Sequence, residues 1–256
     1  MEHGKFDTDS AALARRISAH EQFGSRDVNE WILAQLELAP GHLVLELGCG
    51  TGKQTIPIAK AIGEDGHIVA VDISDESVKT LSATAEAQGL RERISPLCTS
   101  LDEFNERMYS ASFDRIVASY SLYYANDPRK VFSEVYRALR PGGILFFCGP
   151  SRANNQELKK FHGSLSNEVL PDTSAAVFME DTGQQLASEL FSSIKISAFE
   201  NELNFASAYA LYTYWSSYNL YCKAVDQRFG QAAKEHFRTH SFFRTTKRAI
   251  GVKAIK

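Results

Sequence analysis

Leu43-Val44-Leu45-Glu46-Leu47-Gly48-Cys49-Gly50-Thr51-Gly52 is the stretch whose reading decides the fold. An apolar run, interrupted once by Glu46, ends in glycines at 48, 50 and 52. A helix-like segment from Lys53 to Ile62 follows. The order reads as buried strand, tight turn, helix, and glycines in such a turn let a ligand approach the backbone closely. Spacing narrows the ligand. A phosphate-cradling P-loop needs Gly-x-x-x-x-Gly-Lys-Ser/Thr, and Gln54 follows Gly52-Lys53. The dinucleotide fingerprint Gly-x-Gly-x-x-Gly needs a glycine at 53, where Lys53 stands. What remains is Gly-x-Gly-x-Gly with an acid two residues before it.

Outward from this turn, residues 42 to 149 alternate apolar runs with helical patterns. The runs are His42–Leu47, His67–Val71, Ile94–Cys98, Phe113–Ser119 and Gly143–Cys148. Strands alternating with helices imply a parallel sheet covered on both faces. Ser74 is placed to cap a helix whose first turn holds Asp75 and Glu76, and Gly89 to end it. Asp127-Pro128 opens another, with Val131, Phe132, Val135 and Leu139 as its buried stripe. The first forty residues read as two helices. Residues 150 to 180 are mixed, a helix is expected near Thr182–Leu190 and a strand near Ser193–Phe199. Residues 207 to 237 read as helical and aromatic, and Thr245–Ile255 alternates like a last strand.

Glu46-Leu47-Gly48-Cys49-Gly50-Thr51-Gly52 resembles the first motif of class I S-adenosylmethionine-dependent methyltransferases. Phe113-Asp114 and Leu139-Arg140-Pro141-Gly142-Gly143 resemble later motifs of the same family. The resemblance covers roughly residues 40 to 150. It implies a Rossmann-like, doubly wound α/β sheet of seven mostly parallel strands, the last one antiparallel. On that reading Ser193–Phe199 is the sixth strand and Thr245–Ile255 the seventh. The chain is then one methyltransferase domain over 1–256. Residues 1–40 form N-terminal helices, 41–150 bind the cofactor, and 150–180 and 207–240 are helical lid segments on the substrate side.

The resemblance also implies a site. Glu46, Gly48, Cys49, Gly50 and Gly52 would pass under the amino-acid part of S-adenosylmethionine. Asp72 ends the second strand, where a carboxylate accepts from two ribose hydroxyls. Ile73 follows it. After the third strand many family members carry an aspartate for the adenine amino group. Here Thr99 and Ser100 stand in that place, so a hydroxyl, a backbone carbonyl or Asp102 would take the contact, with Leu101 on the adenine face. Ser119 and Tyr120, after the fourth strand, would flank the sulfonium and its methyl group, with Tyr123 and Tyr124 towards the acceptor.

Methyl transfer from a sulfonium is an in-line displacement with a neutral leaving group, so the chemistry itself requires no metal. A general base helps when the acceptor is a hydroxyl. His20 and His162 are the candidates, ahead of His236 and His240, with Tyr120 as a third catalytic candidate. Leu211, Tyr214, Trp215, Tyr218 and Tyr221 share one helical face, either as packing or as the wall of an acceptor pocket. Arg238, Arg244, Lys247 and Arg248 form a basic cluster that reads as a solvated face.

Composition sets the class. The 256 residues carry a net charge of −3 with 44% hydrophobic residues, an ordinary globular balance that gives no support to nucleic-acid binding. Ser119-Tyr120-Ser121-Leu122 stands where nucleic-acid amino-methylating enzymes carry an Asn-Pro-Pro-Tyr-type tetrad. No apolar run has bilayer length, and residues 1–5 lack a signal-peptide core, so a cytoplasmic enzyme is expected. Cys49, Cys98, Cys148 and Cys222 lack metal-ligand spacing and are expected as buried free thiols. The expected function is methyl transfer from S-adenosylmethionine to oxygen, nitrogen or carbon of a small molecule. A nicotinamide-dependent oxidoreductase and a catalytically silent S-adenosylmethionine-binding protein are the alternatives. The oligomeric state is not legible.

Overall fold

The computed structural model describes residues 10–103, 111–166, 170–218 and 220–256. The reading of residues 1–5 lies outside them. Contacts divide the chain into two compact units: a core unit of Val28–Arg152, Thr173–Phe199 and Ala249–Lys256, and a second unit of Met1–Asp27, Ala153–Asp172 and Glu200–Arg248.

The core unit is built on the alternating runs. The strands are β1 (Leu43–Leu47), β2 (His67–Asp72), β3 (Ile94–Cys98), β4 (Phe113–Ser119), β5 (Leu139–Pro150), β6 (Ser193–Phe205) and β7 (Phe243–Ile255). They form a seven-stranded sheet in the order β3-β2-β1-β4-β5-β7-β6. The pairs β1–β2, β1–β4, β2–β3 and β4–β5 are parallel, and β5–β7 is antiparallel, with Ile144 opposite Ile255. This is the Rossmann-like α/β sheet expected from the sequence. The order reverses between β1 and β4, and in open α/β sheets a ligand crevice opens outside the carboxyl ends of strands at such a point.

Side-chain alternation gives the sheet two apolar faces. Leu45, Leu47, Val69, Val71, Ile116, Ala118, Leu145 and Phe147 belong to one cluster. Val44, Ile68, Ala70, Val117, Phe146 and Cys148 belong to the other. The first is covered by α5 (Pro128–Ala138) and α8 (Gly183–Leu190) through Val131, Phe132, Val135, Leu186 and Ala187. The second is covered by α2 (Val28–Leu36), α3 (Thr55–Ala61) and α4 (Asp75–Ala87) through Ile32, Leu36, Ile56, Ile58 and Leu81. Each fully buried aliphatic or phenyl side chain contributes about 1.5–3 kcal/mol. The expected caps form: Ser74 accepts from Ser77 N at 3.2 Å and Asp127 from Lys130 N at 3.0 Å. Asp114 joins motifs distant in sequence, accepting from Leu43 N at 2.8 Å and from Arg140 Nη1 at 2.9 Å. Its role is to register β1 against β4 and β5.

The second unit contains α1 (Ser10–Phe23), α6 (Gln156–Ser166), α9 (Ala208–Ser216) and α10 (Asp226–Thr239), together with the parts of β6 and β7 nearest one another in sequence. Its core includes Phe205, Leu211, Tyr214, Trp215 and Phe229. Trp215 stacks on Phe229 with centroids 3.9 Å apart and planes 4° apart. The aromatic face of residues 211–215 is therefore packing. The helix expected over 207–237 is two helices with a break between Ser216 and Asp226, because Ser217 and Tyr218 turn the chain back on Tyr214 and Trp215. Residues 150–180, expected as irregular, hold α6 and α7 (Ser174–Val177), followed by a π turn at Phe178–Thr182.

All four cysteines are free. Cys49 and Cys148 are buried as expected, whereas Cys98 and Cys222 are exposed. Cys98 departs from the expectation because β3 is an edge strand with one side open. Among the described residues no helix is long and apolar enough to cross a membrane, and no group of histidine, cysteine and acidic side chains could hold a metal ion.

Candidate cofactor site

The glycine turn is pinned to the end of β2. Gly48 N and Cys49 N both donate to Val71 O, at 2.7 and 2.9 Å. Gly50 N donates to Asp72 Oδ2 at 2.7 Å, and Ser74 N donates to Asp72 Oδ1 at 2.9 Å. Asp72 thus ties the turn to the start of α4, yet a carboxylate offers about four lone-pair directions and keeps capacity for hydroxyl donors. Beside it, Ile73 is 75% exposed, an apolar side chain displayed next to an acid at a strand's carboxyl end.

Gly48, Gly50 and Gly52 all have positive φ, at +82°, +51° and +93°. A Cβ on Gly48 would lie 2.4 Å from Ser121 Cβ, so this glycine lets the chain after β4 close onto the turn. Ser121 is fixed there by donating its hydroxyl to Leu47 O at 2.5 Å. A Cβ on Gly50 would meet nothing within 4 Å. The backbone at Gly50 faces open space, which is what a ligand approaching the turn requires.

Glu46 stands where strand alternation calls for an apolar residue, on the same face as Val44. It is fully buried. Its Oε2 accepts from Thr55 Oγ1 of α3 at 2.5 Å, while its Oε1 has no hydrogen-bond partner among the described residues. Burial pushes its carboxyl up to about 8; the Thr55 hydroxyl opposes the rise and the nearby Asp72 charge adds to it. An acceptor buried without a donor costs about 1–3 kcal/mol, and such a group calls for an explanation, a bound donor being one. Cys49, at 3% exposure, has its thiol pushed upward by burial and then by Glu46 and Asp72, so it stays protonated.

At the end of β4, Ser119 Oγ is a second buried atom without a hydrogen-bond partner among the described residues. The next residue, Tyr120, has φ +58°. A non-glycine side chain in the left-handed region costs roughly 1–2 kcal/mol, and such residues concentrate at functional positions. The strain is held by Tyr120 N donating to Cys148 O at 2.8 Å. The residues present fit S-adenosylmethionine: a turn open at Gly50, an acid at the end of β2, and a buried acceptor for a cationic group. Residues 44–143 match the methyltransferase domain family. Over that span the core unit resembles the class I S-adenosylmethionine-dependent methyltransferases in its sheet order and its glycine turn.

The chain has relatives of known name. A ubiquinone/menaquinone biosynthesis C-methyltransferase from Hydrogenovibrio crunogenus is 26% identical over 162 residues, 62% of this chain and 63% of the relative. This chain therefore spans less than two thirds of that relative's length. The YcgJ protein of Bacillus subtilis shares the fold with a TM-score of 0.59 at 17% identity, over 89% of this chain and 97% of the other. A SAM-dependent methyltransferase from Aquifex aeolicus does so with a TM-score of 0.56 at 15% identity, over 95% and 97%. At such identities these two likenesses are ones of fold.

Around the domain's third strand the structure redistributes roles. Thr99 N donates to Asp72 O at 3.0 Å, which places Ser100 and Leu101 just beyond the acid. Glu103, unremarked in the sequence, accepts from the Thr99 hydroxyl at 3.2 Å and from Ser100 N at 3.4 Å. Asp102 does not reach back. Its carboxylate accepts from Asn126 N, Asn126 Nδ2 and Asp127 N at 2.9–3.0 Å. Burial opposes ionisation there, but the N–H groups of Asp127 and Asn126 outweigh it and hold the carboxyl below its ordinary range. Asp102 joins the loop after β3 to the start of α5. Tyr123 packs edge-on against Tyr124 and Phe178, and Tyr124 is 39% exposed. Thr55 and Ser121 escaped sequence reading because a lone hydroxyl has no pattern; only their bonds to Glu46 and Leu47 show what they hold.

The candidate bases His20, His162, His236 and His240 belong to the second unit. His162 is 2% exposed, and its Nδ1 accepts from Trp215 Nε1 at 3.0 Å. An indole N–H only donates, so this lone pair is engaged in the unit's core. His20 Nδ1 lies 3.2 Å from Lys247 Nζ and its Nε2 lies 3.2 Å from Tyr214 Oη. An ammonium only donates, which makes Nδ1 the acceptor and leaves Nε2–H to donate to Tyr214. His236 and His240 stack at 4.4 Å near the end of α10. The basic cluster is partly internal: Arg248 pairs with Glu157 at 3.0 Å and Glu200 at 3.2 Å.

Proposed function

We propose that this protein transfers the methyl group of S-adenosylmethionine to a small-molecule acceptor. The observation that carries the reading is the glycine turn open at Gly50 and flanked by the buried, half-satisfied Glu46 and by Asp72. When bound, the cofactor supplies an electrophilic methyl on a sulfonium. Gly48, Cys49, Gly50 and Gly52 give its amino-acid end a backbone surface, and Glu46 accepts from its ammonium. Asp72 accepts from the ribose hydroxyls. Ile73, Ser100 and Leu101 border the adenine. Ser119 and Tyr120 line the approach to the methyl.

No general base is assigned. The lone pairs of His20 and His162 are taken by Lys247 and Trp215. We read His162 as a packing residue and His20 as a donor that orients Tyr214. Alignment of acceptor with methyl, which can supply several kcal/mol, is then the main contribution of the protein. The curated relative is named for C-methylation in quinone biosynthesis, so ring carbons of demethylated quinones lead the acceptor panel, followed by phenols and amines. A net charge of −3 gives no bulk attraction to nucleic acid or to an anionic membrane surface, which supports a small-molecule acceptor in a cytoplasmic setting.

Calorimetry with S-adenosylmethionine and with NAD tests the cofactor, and tight NAD binding without S-adenosylmethionine binding overturns the reading. Incubation with the acceptor panel should yield S-adenosylhomocysteine and methylated product. Cofactor binding with no turnover across the panel would favour the silent binding protein.

A further inference from the structure

Glu46 raises a question that methyl transfer does not answer. Strand alternation places its side chain on an apolar face of the sheet, fully buried, beside Val44 and Val117. One oxygen is held by Thr55 and the other has no donor among the described residues. The titratable groups that face it are Asp72, from the end of β2, and Cys49, from the turn; α3 faces it with the Thr55 hydroxyl. No cation is among them. An ionised carboxylate there has lost its water and gained one hydrogen bond, with a second carboxylate nearby, so the uncharged form is favoured until a cation arrives. The burial that pushes the Glu46 carboxyl up to about 8 describes that resting state.

We propose that Glu46 is protonated in the empty site and that capture of the cofactor's α-ammonium expels this proton to solvent. The inference rests on the cofactor reading above and adds a coupling to it. The ammonium donates to the orphaned Oε1, and its charge stabilises the carboxylate that Asp72 and burial had opposed. The released proton passes to the buffer, so charge balances: a neutral acid and a cation become an ion pair plus one proton. Thr55 keeps its bond to Oε2 in both states and holds the carboxyl in place. The cofactor is recognised in the amino-acid end by a group that stays mostly uncharged near neutral pH until it arrives. A ligand lacking the ammonium leaves Glu46 neutral and gains nothing from it.

The test is calorimetric and independent of turnover. S-adenosylhomocysteine keeps the ammonium and lacks the sulfonium; 5′-methylthioadenosine lacks the whole amino-acid end. Each is titrated into the protein at pH 7 in buffers of differing ionisation enthalpy, whose slope counts protons. S-adenosylhomocysteine is expected to release about 0.9 proton per site, and its affinity to rise close to tenfold per pH unit from pH 6 to 7.5. 5′-Methylthioadenosine is expected to release none. Glu46→Gln, which copies the neutral form, should bind S-adenosylhomocysteine more weakly and without proton release. Binding of S-adenosylhomocysteine to the unaltered protein without net proton release overturns the coupling alone. Equal release with 5′-methylthioadenosine, or release retained in Glu46→Gln, overturns Glu46 as its source. Failure of S-adenosylhomocysteine to bind at all sinks the cofactor reading and the coupling together. The 5′-methylthioadenosine comparison uses only the unaltered protein, so it stands even if Glu46→Gln fails to fold.

Discussion

Gly48 and Gly50 share a turn and a positive φ, but different constraints act on them. Gly48 has Ser121 against it, whereas Gly50 faces open space. Gly48→Ala is expected to cost more than about 2 kcal/mol, from the left-handed backbone plus the clash. Gly50→Ala should cost about 1 kcal/mol, the backbone part alone. Urea denaturation measures both. For affinity the ranking reverses in meaning: Gly50→Ala, though well folded, should bind S-adenosylmethionine at least about tenfold more weakly, since the new methyl enters the ligand's space. Asp72→Ala should weaken cofactor binding by about 1–3 kcal/mol through lost charge-assisted hydrogen bonds. Unchanged affinity in the folded variant removes Asp72 from the site. Glu46 also governs stability against pH. Its carboxyl is raised to about 8 in the folded protein, from an ordinary 4.5. The folded state therefore binds more protons than the unfolded chain between those values, and stability falls as pH rises through that window. The loss should reach about 3–5 kcal/mol by pH 8 and be absent in Glu46→Gln, as followed by chemical denaturation at pH 5 and pH 8.

At the scale of elements, β1, β2, β4 and β5 were legible because parallel strands covered on both faces are apolar almost without interruption. Helix α5 was legible from its Asp127-Pro128 start and its Val131-Phe132-Val135 stripe. The aromatic segment after residue 207 was not, because helical spacing continues across a break that only local hydrogen bonds reveal. Its two possible roles separate in the structure: Trp215 and Tyr214 are core. Trp215→Ala should destabilise its unit by about 3–5 kcal/mol, the usual cost of emptying a large aromatic site. A loss below 1 kcal/mol in thermal unfolding would show that the stack on Phe229 carries little. The histidines were illegible for a related reason. Their sequence neighbourhoods carry no pattern, and their roles follow from Trp215, Lys247 and Tyr214, which are distant in sequence.

At the scale of the whole molecule, each unit carries one of the two tryptophans: Trp31 packs on Phe146 and Phe199 in the core unit, and Trp215 lies in the other. Single-tryptophan variants therefore report the units separately. S-adenosylmethionine at a hundred times its dissociation constant should stabilise the core unit by about 2.7 kcal/mol in the Trp31 signal, because it binds the folded site alone. No shift in that signal would place the cofactor elsewhere. By itself the sequence determined the strand order's raw material, the cofactor class and the glycine turn proposed to meet it, since periodicity, glycine spacing and an acid at a strand end are local properties of the chain. The tertiary structure decided the rest: that Asp114 is a framework residue, that Asp102 is committed to the start of α5, that His162 is core, and that Glu46 is an acid without a second donor among the described residues. Those are questions of which distant group fills a side chain's hydrogen-bonding capacity, and only the packed chain answers them.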